Sequence, residues 1–118
     1  MGKALMILNE PAYGSDRTYN GLRLAGAMAK REGMQVRVFL IGDAVTCAKR
    51  GQRVPTGYYS LEAMLGTLEQ HRGEVGVCGS CLDARGITDA DLAQSARRSS
   101  MEELATWTGE WADKVVVF

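Results

Sequence analysis

The sequence predicts an α/β fold, a three-layer α/β/α sandwich around a mainly parallel sheet of four or five strands. Two observations predict this class. Short, unbroken apolar runs alternate along the 118 residues with segments of helical periodicity, as expected when helices connect parallel strands. Each apolar run ends in turn residues, which is typical of strands buried on both faces. No linker or repeat divides the chain, so we expect a single domain over residues 1–118.

The first elements are predicted from one apolar run, one capped helix and a second apolar run. Residues 4–8 form the first strand, because five consecutive apolar residues precede a turn-rich segment. Ser15 or Asp16 then caps a helix that extends to about residue 31, and Gly33 ends it. Residues 36–41 form the second strand.

The middle of the chain is predicted to hold two helices and the third strand. Asp43 caps a short helix, and residues 51–59 are polar and irregular. Ser60 begins the next helix, whose leucines recur at helical spacing. After Gly73, residues 74–78 form the third strand.

The last third is predicted to contain three short helices and a terminal strand. A loop after residue 78 enters a short helix that Gly86 ends. Thr88 caps a further helix over residues 89–96, and the ambiguous segment 97–100 has room for a very short strand. Residues 101–112 form a helix and residues 114–118 the terminal strand.

Three loops are predicted to meet at one edge of this sheet. They follow the carboxyl ends of the first three strands, at residues 11–15, 42–47 and 78–85. Ligands bind at this edge in open parallel sheets. Two of the three loops contain cysteines, so this edge is the candidate site.

Cys78 and Cys81 form the most informative motif in the chain. A thiolate is an anion, and a strand-to-helix turn favours an anion, so either cysteine is a candidate for a lowered pKa. Arg85 lies one helical turn beyond Cys81. Gly79 and Ser80 allow a small ligand to approach the backbone closely. Cys47 lies on a short helix, where a free cysteine is usually a packing residue.

Other cysteine chemistries fit the spacing less well. Structural zinc requires a second ligand pair, which the sequence lacks. A thioredoxin-type dithiol follows an earlier strand, and a phosphatase-type loop has five residues between Cys and Arg. Nucleotide-binding glycine motifs are absent from the sequence. His71, the single histidine, fits a solvated helix end. Trp107 and Trp111 fit a core or subunit contact.

Composition excludes several classes of protein. Fourteen basic residues balance fourteen acidic ones, which argues against a sequence-independent nucleic-acid binder. The longest apolar runs are far shorter than the ~20 residues of a membrane helix. An odd cysteine count and a start unlike a signal peptide favour a reduced, cytoplasmic setting.

The chain resembles the DsrE/DsrF-like proteins of sulfur relay, which include TusD-like sulfur-transfer subunits. The resemblance rests on the joint order of Pro11-Ala-Tyr-Gly14, the cysteine loop and the ending at residues 113–118. Relay members have a Cys at the end of the third strand and an Arg-Gly after the next short helix, positions that Cys78 and Arg85-Gly86 match. The second thiol, Cys81, is a departure from the relay subunits. With it, the chain looks more like an uncharacterised DsrE-like branch that has a Cys-Gly-Ser-Cys loop.

The resemblance implies a flavodoxin-like subunit that forms homotrimers or homohexamers and carries sulfane sulfur as a cysteine persulfide between partner proteins. Cys78 is then the sulfur acceptor, and Cys81 is a resolving or assisting thiol. The expected pocket contains no cofactor or metal. Its further predicted residues are Tyr13, Gly14, Gly42, Asp43, Gly79, Ser80 and Arg85.

Two other hypotheses remain at this point. The chain could be a non-enzymatic oligomeric binding or scaffold module, or a thiol redox sensor. A metal site shared between subunits, with Cys78 and Cys81 from each chain, is a smaller alternative.

Overall fold

The computed structural model describes residues 2–118, which form a parallel sheet with helices on both faces. The strands are β1 (Gly2–Leu8), β2 (Met34–Leu40), β3 (Glu74–Cys78), β4 (Ala96–Ser99) and β5 (Lys114–Val117). The α-helices are α1 (Asp16–Ala29), α2 (Leu61–Gln70), α3 (Gly79–Ala84) and α4 (Met101–Thr106). Shorter helical segments cover Gly42–Ala48 and Asp89–Asp91, both 3₁₀, and the π-helical turn Trp107–Trp111.

The strands are ordered β4-β3-β2-β1-β5, and every pairing is parallel. The predicted three-layer α/β class is therefore confirmed. Because all strands run in one direction, their carboxyl ends share one edge, and Cys78 is the last residue of β3. Within residues 2–118, no helix has the length and apolar character needed to cross a membrane.

The two faces of the sheet are covered by different elements. α1 packs on the face of Leu8, since a Cβ at Gly21 would lie only 2.6 Å from the Leu8 side chain. α2 packs beside α1 and buries Leu61, Leu65 and Leu68, as predicted. The opposite face receives Trp107, whose ring meets Phe39 of β2 edge-on, with centroids 6.2 Å apart.

Serine side chains begin three of the helices. Ser15, Ser60 and Ser100 accept hydrogen bonds from backbone amides in the first turns of α1, α2 and α4. The prediction for Asp43 was wrong: the 3₁₀ helix Gly42–Ala48 begins after Ile41, which has no side-chain cap, and Asp43 lies inside its first turn.

The predicted helix over residues 89–96 is also wrong. Only Asp89–Asp91 is helical, and the chain then extends. The Ala93 amide donates to Ala48 O at 2.7 Å, and the Arg50 amide donates to Asp91 O at 2.8 Å. A long-range backbone pairing therefore replaces the helix.

Other boundaries shift by small amounts. α1 ends at Ala29, and β2 begins at Met34 rather than at residue 36. The predicted loop after Cys78 is absent, because α3 begins directly at Gly79. The predicted helix 101–112 becomes π-helical after Thr106, where the Ala112 amide bonds to Trp107 O.

Candidate functional site

The candidate site is built at the junction of β3 and α3. Cys78 ends β3 and is the N-cap residue of α3, while Cys81 lies within the first turn of that helix. All three cysteines of the chain are free thiols. The Cys78 residue is only 6% exposed, whereas Cys81 is half-buried, so the two thiols differ in their access to solvent.

Local donors favour the thiolate at Cys78. Burial opposes ionisation, yet hydrogen bonds from the Cys81 and Ser80 side chains and from their backbone amides hold the pKa of Cys78 below its ordinary value. The Cys78 Sγ and Ser80 Oγ atoms are 3.4 Å apart. This arrangement makes the more buried thiol the one that ionises more readily to the reactive thiolate.

Cys81 has the opposite tendency. Burial raises the pKa of Cys81, and its hydrogen bond to Cys78 and the negative charge on Cys78 raise it further. The Gly42 amide and the positive charge of Arg85 lower this pKa but do not offset the rise. The Gly42 amide donates to Cys81 Sγ at 3.2 Å. Gly42 has a φ of +60°, a left-handed conformation that favours glycine. Cys81 therefore remains the proton donor of the pair.

Arg85 and Asp43 form an ion pair beside the thiols. Arg85 Nη2 lies 2.6 Å from Asp43 Oδ1, and Arg85 Nη1 donates to the carbonyl of Cys81 at 3.0 Å. The pair joins α3 to the 3₁₀ helix Gly42–Ala48. Asp43 thus orients Arg85, which acts on the thiols through its charge and through the helix backbone.

Gly79 and Arg98 show why α3 sits so close to β4. A Cβ at Gly79 would lie 2.9 Å from Arg98 Nη1 and 3.1 Å from Ser99 O, so these atoms occupy the space expected for a ligand. Arg98 donates to Gly79 O at 3.1 Å and pairs with Asp83 and Asp89. Arg98 was not predicted from the sequence. Its separation of 19 residues from Gly79 left no local signal.

Tyr13 and Gly14 lie at the same carboxyl-terminal edge of the sheet, but their contacts are with Gln52, Leu61 and Pro11 rather than with the thiols. The Tyr13 hydroxyl donates to Gln52 Oε1 at 2.5 Å and accepts from the Leu61 amide at 3.1 Å. A Cβ at Gly14 would meet the Pro11 ring. These residues hold the loop before α2, so their role in binding stays a prediction, whereas Gly42, Asp43, Ser80 and Arg85 gather around the thiols.

Cys47 is separate from the thiol pair. Its side chain is fully buried, and burial raises its pKa to about 12. Its sulfur lies 4.0 Å from Glu10 O. The thiol therefore packs in the core as a neutral group. Among residues 2–118, no three or more Cys, His, Asp or Glu side chains converge to hold a metal ion.

Comparisons with known proteins agree with this architecture. The model of the DsrE/DsrF-like family matches residues 2–118. The chain is 39% identical to protein YchN of Escherichia coli over the full length of both, and 35% identical to an uncharacterized protein of Methanopyrus kandleri, covering 96% of this chain and 91% of that protein.

Solved structures give the same result. The crystal structure of the Escherichia coli YchN protein superposes with a TM-score of 0.93 at 39% identity over both whole chains. A protein of unknown function from Methanobacterium thermoautotrophicum has a TM-score of 0.77 at 16% identity, again over both whole chains, and shares the fold.

Proposed function

The chain belongs to the DsrE/DsrF-like family, and from this membership and its thiol pair we propose that it carries sulfane sulfur as a persulfide on Cys78. The observation that carries the proposal is the split between the two thiols. Donors from Ser80 and Cys81 hold the pKa of Cys78 down, and Cys81 keeps its proton. A relay cysteine requires a ready nucleophile of this kind.

The loading step is a thiol exchange. The Cys78 thiolate attacks the outer sulfur of a persulfide donor R–S–SH, forming Cys78–S–SH as the donor S–S bond breaks and R–S⁻ leaves. No net oxidation occurs, because the sulfane sulfur only changes its carrier. With Cys78 6% exposed, the bound sulfur is shielded from bulk solvent until an acceptor approaches.

Intact-mass spectrometry after incubation with a sulfane donor tests the proposal. We expect the parent protein to gain about 32 mass units as one sulfur atom, and Cys78→Ser to gain none. Cys47→Ala is the matched control and should load like the parent, because Cys47 is fully buried and neutral. Loading of Cys78→Ser at the parent level contradicts the assignment.

A second candidate function is thiol redox chemistry, which the hydrogen bond between the thiols favours. Cys81, once deprotonated, would attack the inner sulfur of Cys78–S–SH, forming a Cys78–Cys81 disulfide and releasing HS⁻. The dithiol is then oxidised by two electrons and the sulfane sulfur is reduced to sulfide.

The fate of the loaded sulfur separates the two candidates. A carrier retains the added mass until an acceptor thiol is supplied. A sulfane reductase loses it, ends about 2 mass units lighter than the parent and releases one sulfide per chain, and Cys81→Ser prevents that release.

A further inference from the structure

The segment that follows the 3₁₀ helix Gly42–Ala48 carries an unusual concentration of positive charge. Residues 49–58, hereafter the basic segment, contain Lys49, Arg50 and Arg53 and no Asp or Glu, although the whole chain is formally neutral. All three side chains are exposed, and none forms an ion pair within the part of the chain that the structure describes. The charge therefore faces solvent.

The acidic groups beside the basic segment are already engaged. Asp91 accepts hydrogen bonds from the backbone and hydroxyl of Thr88, both at 2.9 Å. The Glu62 carboxylate accepts from the amides of Gly51 and Gln52, at 3.2 and 2.9 Å. Thr88 hydrogen bonds, and after them the charges of Lys49 and Arg50, hold the pKa of Asp91 below its ordinary value, but neither carboxylate lies within ion-pair distance of the three cations.

The backbone of the basic segment is firmly held. The Gln52 side-chain amide donates to the carbonyls of Cys47 and Lys49, at 2.8 and 2.9 Å, and Gln52 Oε1 accepts from Tyr13. Lys49 forms an antiparallel bridge with Leu92. A fixed backbone limits the positions that the charged groups can reach, which lowers the entropy cost of binding.

The basic segment also lies close to the thiols. Gly42 donates to Cys81 Sγ, and Lys49 follows the last residue of the same seven-residue 3₁₀ helix. At a rise of about 2 Å per residue, that helix extends at most ~14 Å. Tyr58, the last residue of the segment, is 71% exposed, and both tyrosine and arginine are enriched at protein interfaces.

We propose that the basic segment is a docking surface for the acidic face of a protein that exchanges sulfur with Cys78. This inference rests on the proposed function. The occupant is assigned by charge complementarity, by the buried acceptor thiol that requires a close approach, and by the exposed Tyr58. Nucleic acid is the less favoured occupant, because three cations on a neutral chain form a small patch rather than a basic face.

Two length-matched peptides with one central cysteine test the surface, one rich in Glu and the other with every Glu replaced by Gln. Fluorescence anisotropy measures binding of the unmodified peptides, and the rate of mass gain measures transfer from their persulfides. At low salt, we expect the Glu peptide to bind about tenfold more tightly than the Gln peptide and its persulfide to transfer sulfur about tenfold faster. Raising the salt concentration should remove this advantage.

Charge reversal supplies the matched variants. The first variant carries Lys49→Glu, Arg50→Glu and Arg53→Glu. The second carries Lys3→Glu, Lys30→Glu and Arg31→Glu, at exposed positions near the opposite end of the sheet. The change in net charge is equal. We expect only the first variant to lose the preference for the Glu peptide, and both to load normally from an uncharged small persulfide.

Each contrary outcome overturns one proposal. Equal losses in the two variants, or no preference for the Glu peptide, refute the docking surface while loading from the small donor still supports the proposed function. Binding of a single-stranded oligonucleotide that the first variant alone loses assigns the surface to nucleic acid and refutes the protein partner. Peptide binding without sulfur transfer, together with no loading from the small persulfide, refutes the proposed function and leaves the basic segment supported as a docking surface for acidic proteins.

Discussion

The acidity of a single thiol here is set by atoms from three elements. Cys78 receives hydrogen bonds from its neighbours in α3, and Cys81 receives one from Gly42, the first residue of the 3₁₀ helix Gly42–Ala48. Arg85 is oriented by Asp43 across the same gap. Because burial raises the pKa of both thiols, the donors decide which one ionises first.

This arrangement predicts the pH dependence of thiol alkylation. The thiolate is the reactive form, so a lowered pKa makes the alkylation rate of Cys78 reach its plateau at a lower pH than that of a free cysteine, whose pKa is about 8.5. Cys81→Ala removes a donor, so the profile of Cys78 should move to higher pH. Peptide mapping after brief treatment with a small alkylating reagent measures both profiles. Cys47→Ala is the control and should leave the profile unchanged.

Arg98 is predicted to keep α3 against β4. Its guanidinium bonds to Gly79 O and pairs with Asp83 and Asp89. Arg98→Ala should therefore accelerate hydrogen exchange at the amides of α3, with Arg98→Lys giving a smaller effect because it lacks the planar fork. Arg97→Ala, which loses pairs to Glu74 and Glu103 instead, is the control. Equal acceleration by Arg97→Ala and Arg98→Ala would contradict this role.

Only part of the site was predictable at this scale. The spacing of Cys78, Cys81 and Arg85 is local, so helical geometry alone places them along one short helix, with the cysteines at its start and Arg85 at its end. The partners of Gly79 and Tyr13 are distant in sequence, at Arg98 and Gln52. Local patterns do not encode such pairs, and therefore Gly79 was predicted to leave space for a ligand.

At the scale of elements, the face opposite α1 depends on one aromatic side chain. Trp107 is 3% exposed, meets Phe39 edge-on and lies over Gly76, where a Cβ would be 3.2 Å from its ring. The guanidinium carbon of Arg37 lies 4.9 Å from the centroid of the Trp107 ring and 4.1 Å from the centroid of the Trp111 ring. The π-helical turn brings both indoles onto this cation.

Trp107→Ala is expected to lower the free energy of unfolding by about 3–5 kcal/mol, because it leaves a large cavity beneath α4. Trp111→Ala should cost clearly less, since Trp111 is only partly buried. Urea denaturation of the two variants measures the difference. Equal losses would show that the cavity under Trp107 closes.

The predicted and observed elements differ where distant contacts outweigh local preference. The caps at Ser15 and Ser60 are local, and the structure confirms that helices begin there. The segment 89–96 was predicted to be helical, yet the backbone of residues 91–93 pairs with residues 48–50. Tertiary pairing of this kind overrides intrinsic propensity.

At the scale of the whole molecule, the class of fold was predictable because it follows from alternation alone. Four of the five strands appear in the sequence as apolar runs or short apolar alternations. β4 (Ala-Arg-Arg-Ser) does not, because it is a sheet edge whose arginines point to helices and solvent. The other edge, β5, exposes Val115 and Val117 by 38% and 63%.

We propose this apolar edge as the place where the self-association implied by the family resemblance would occur. Val115→Lys with Val117→Lys should lower the oligomer mass measured by light scattering, because charges on an edge strand oppose strand addition. Leu24→Lys, at a residue of α1 that is also 38% exposed, is the control and should keep the parent mass. An unchanged mass in the valine variant would place any subunit contact elsewhere.

The pairing of β1 with β5 has a consequence for how the protein folds. Ala4 pairs with Lys114, and Lys3 donates to Asp113, so the first strand completes its sheet with residues about 110 positions later. Contacts of such high sequence separation slow the folding of a domain. During synthesis, one edge of β1 stays unpaired until residues 114–117 have left the ribosome. That interval is when misassembly with a neighbouring nascent chain is easiest.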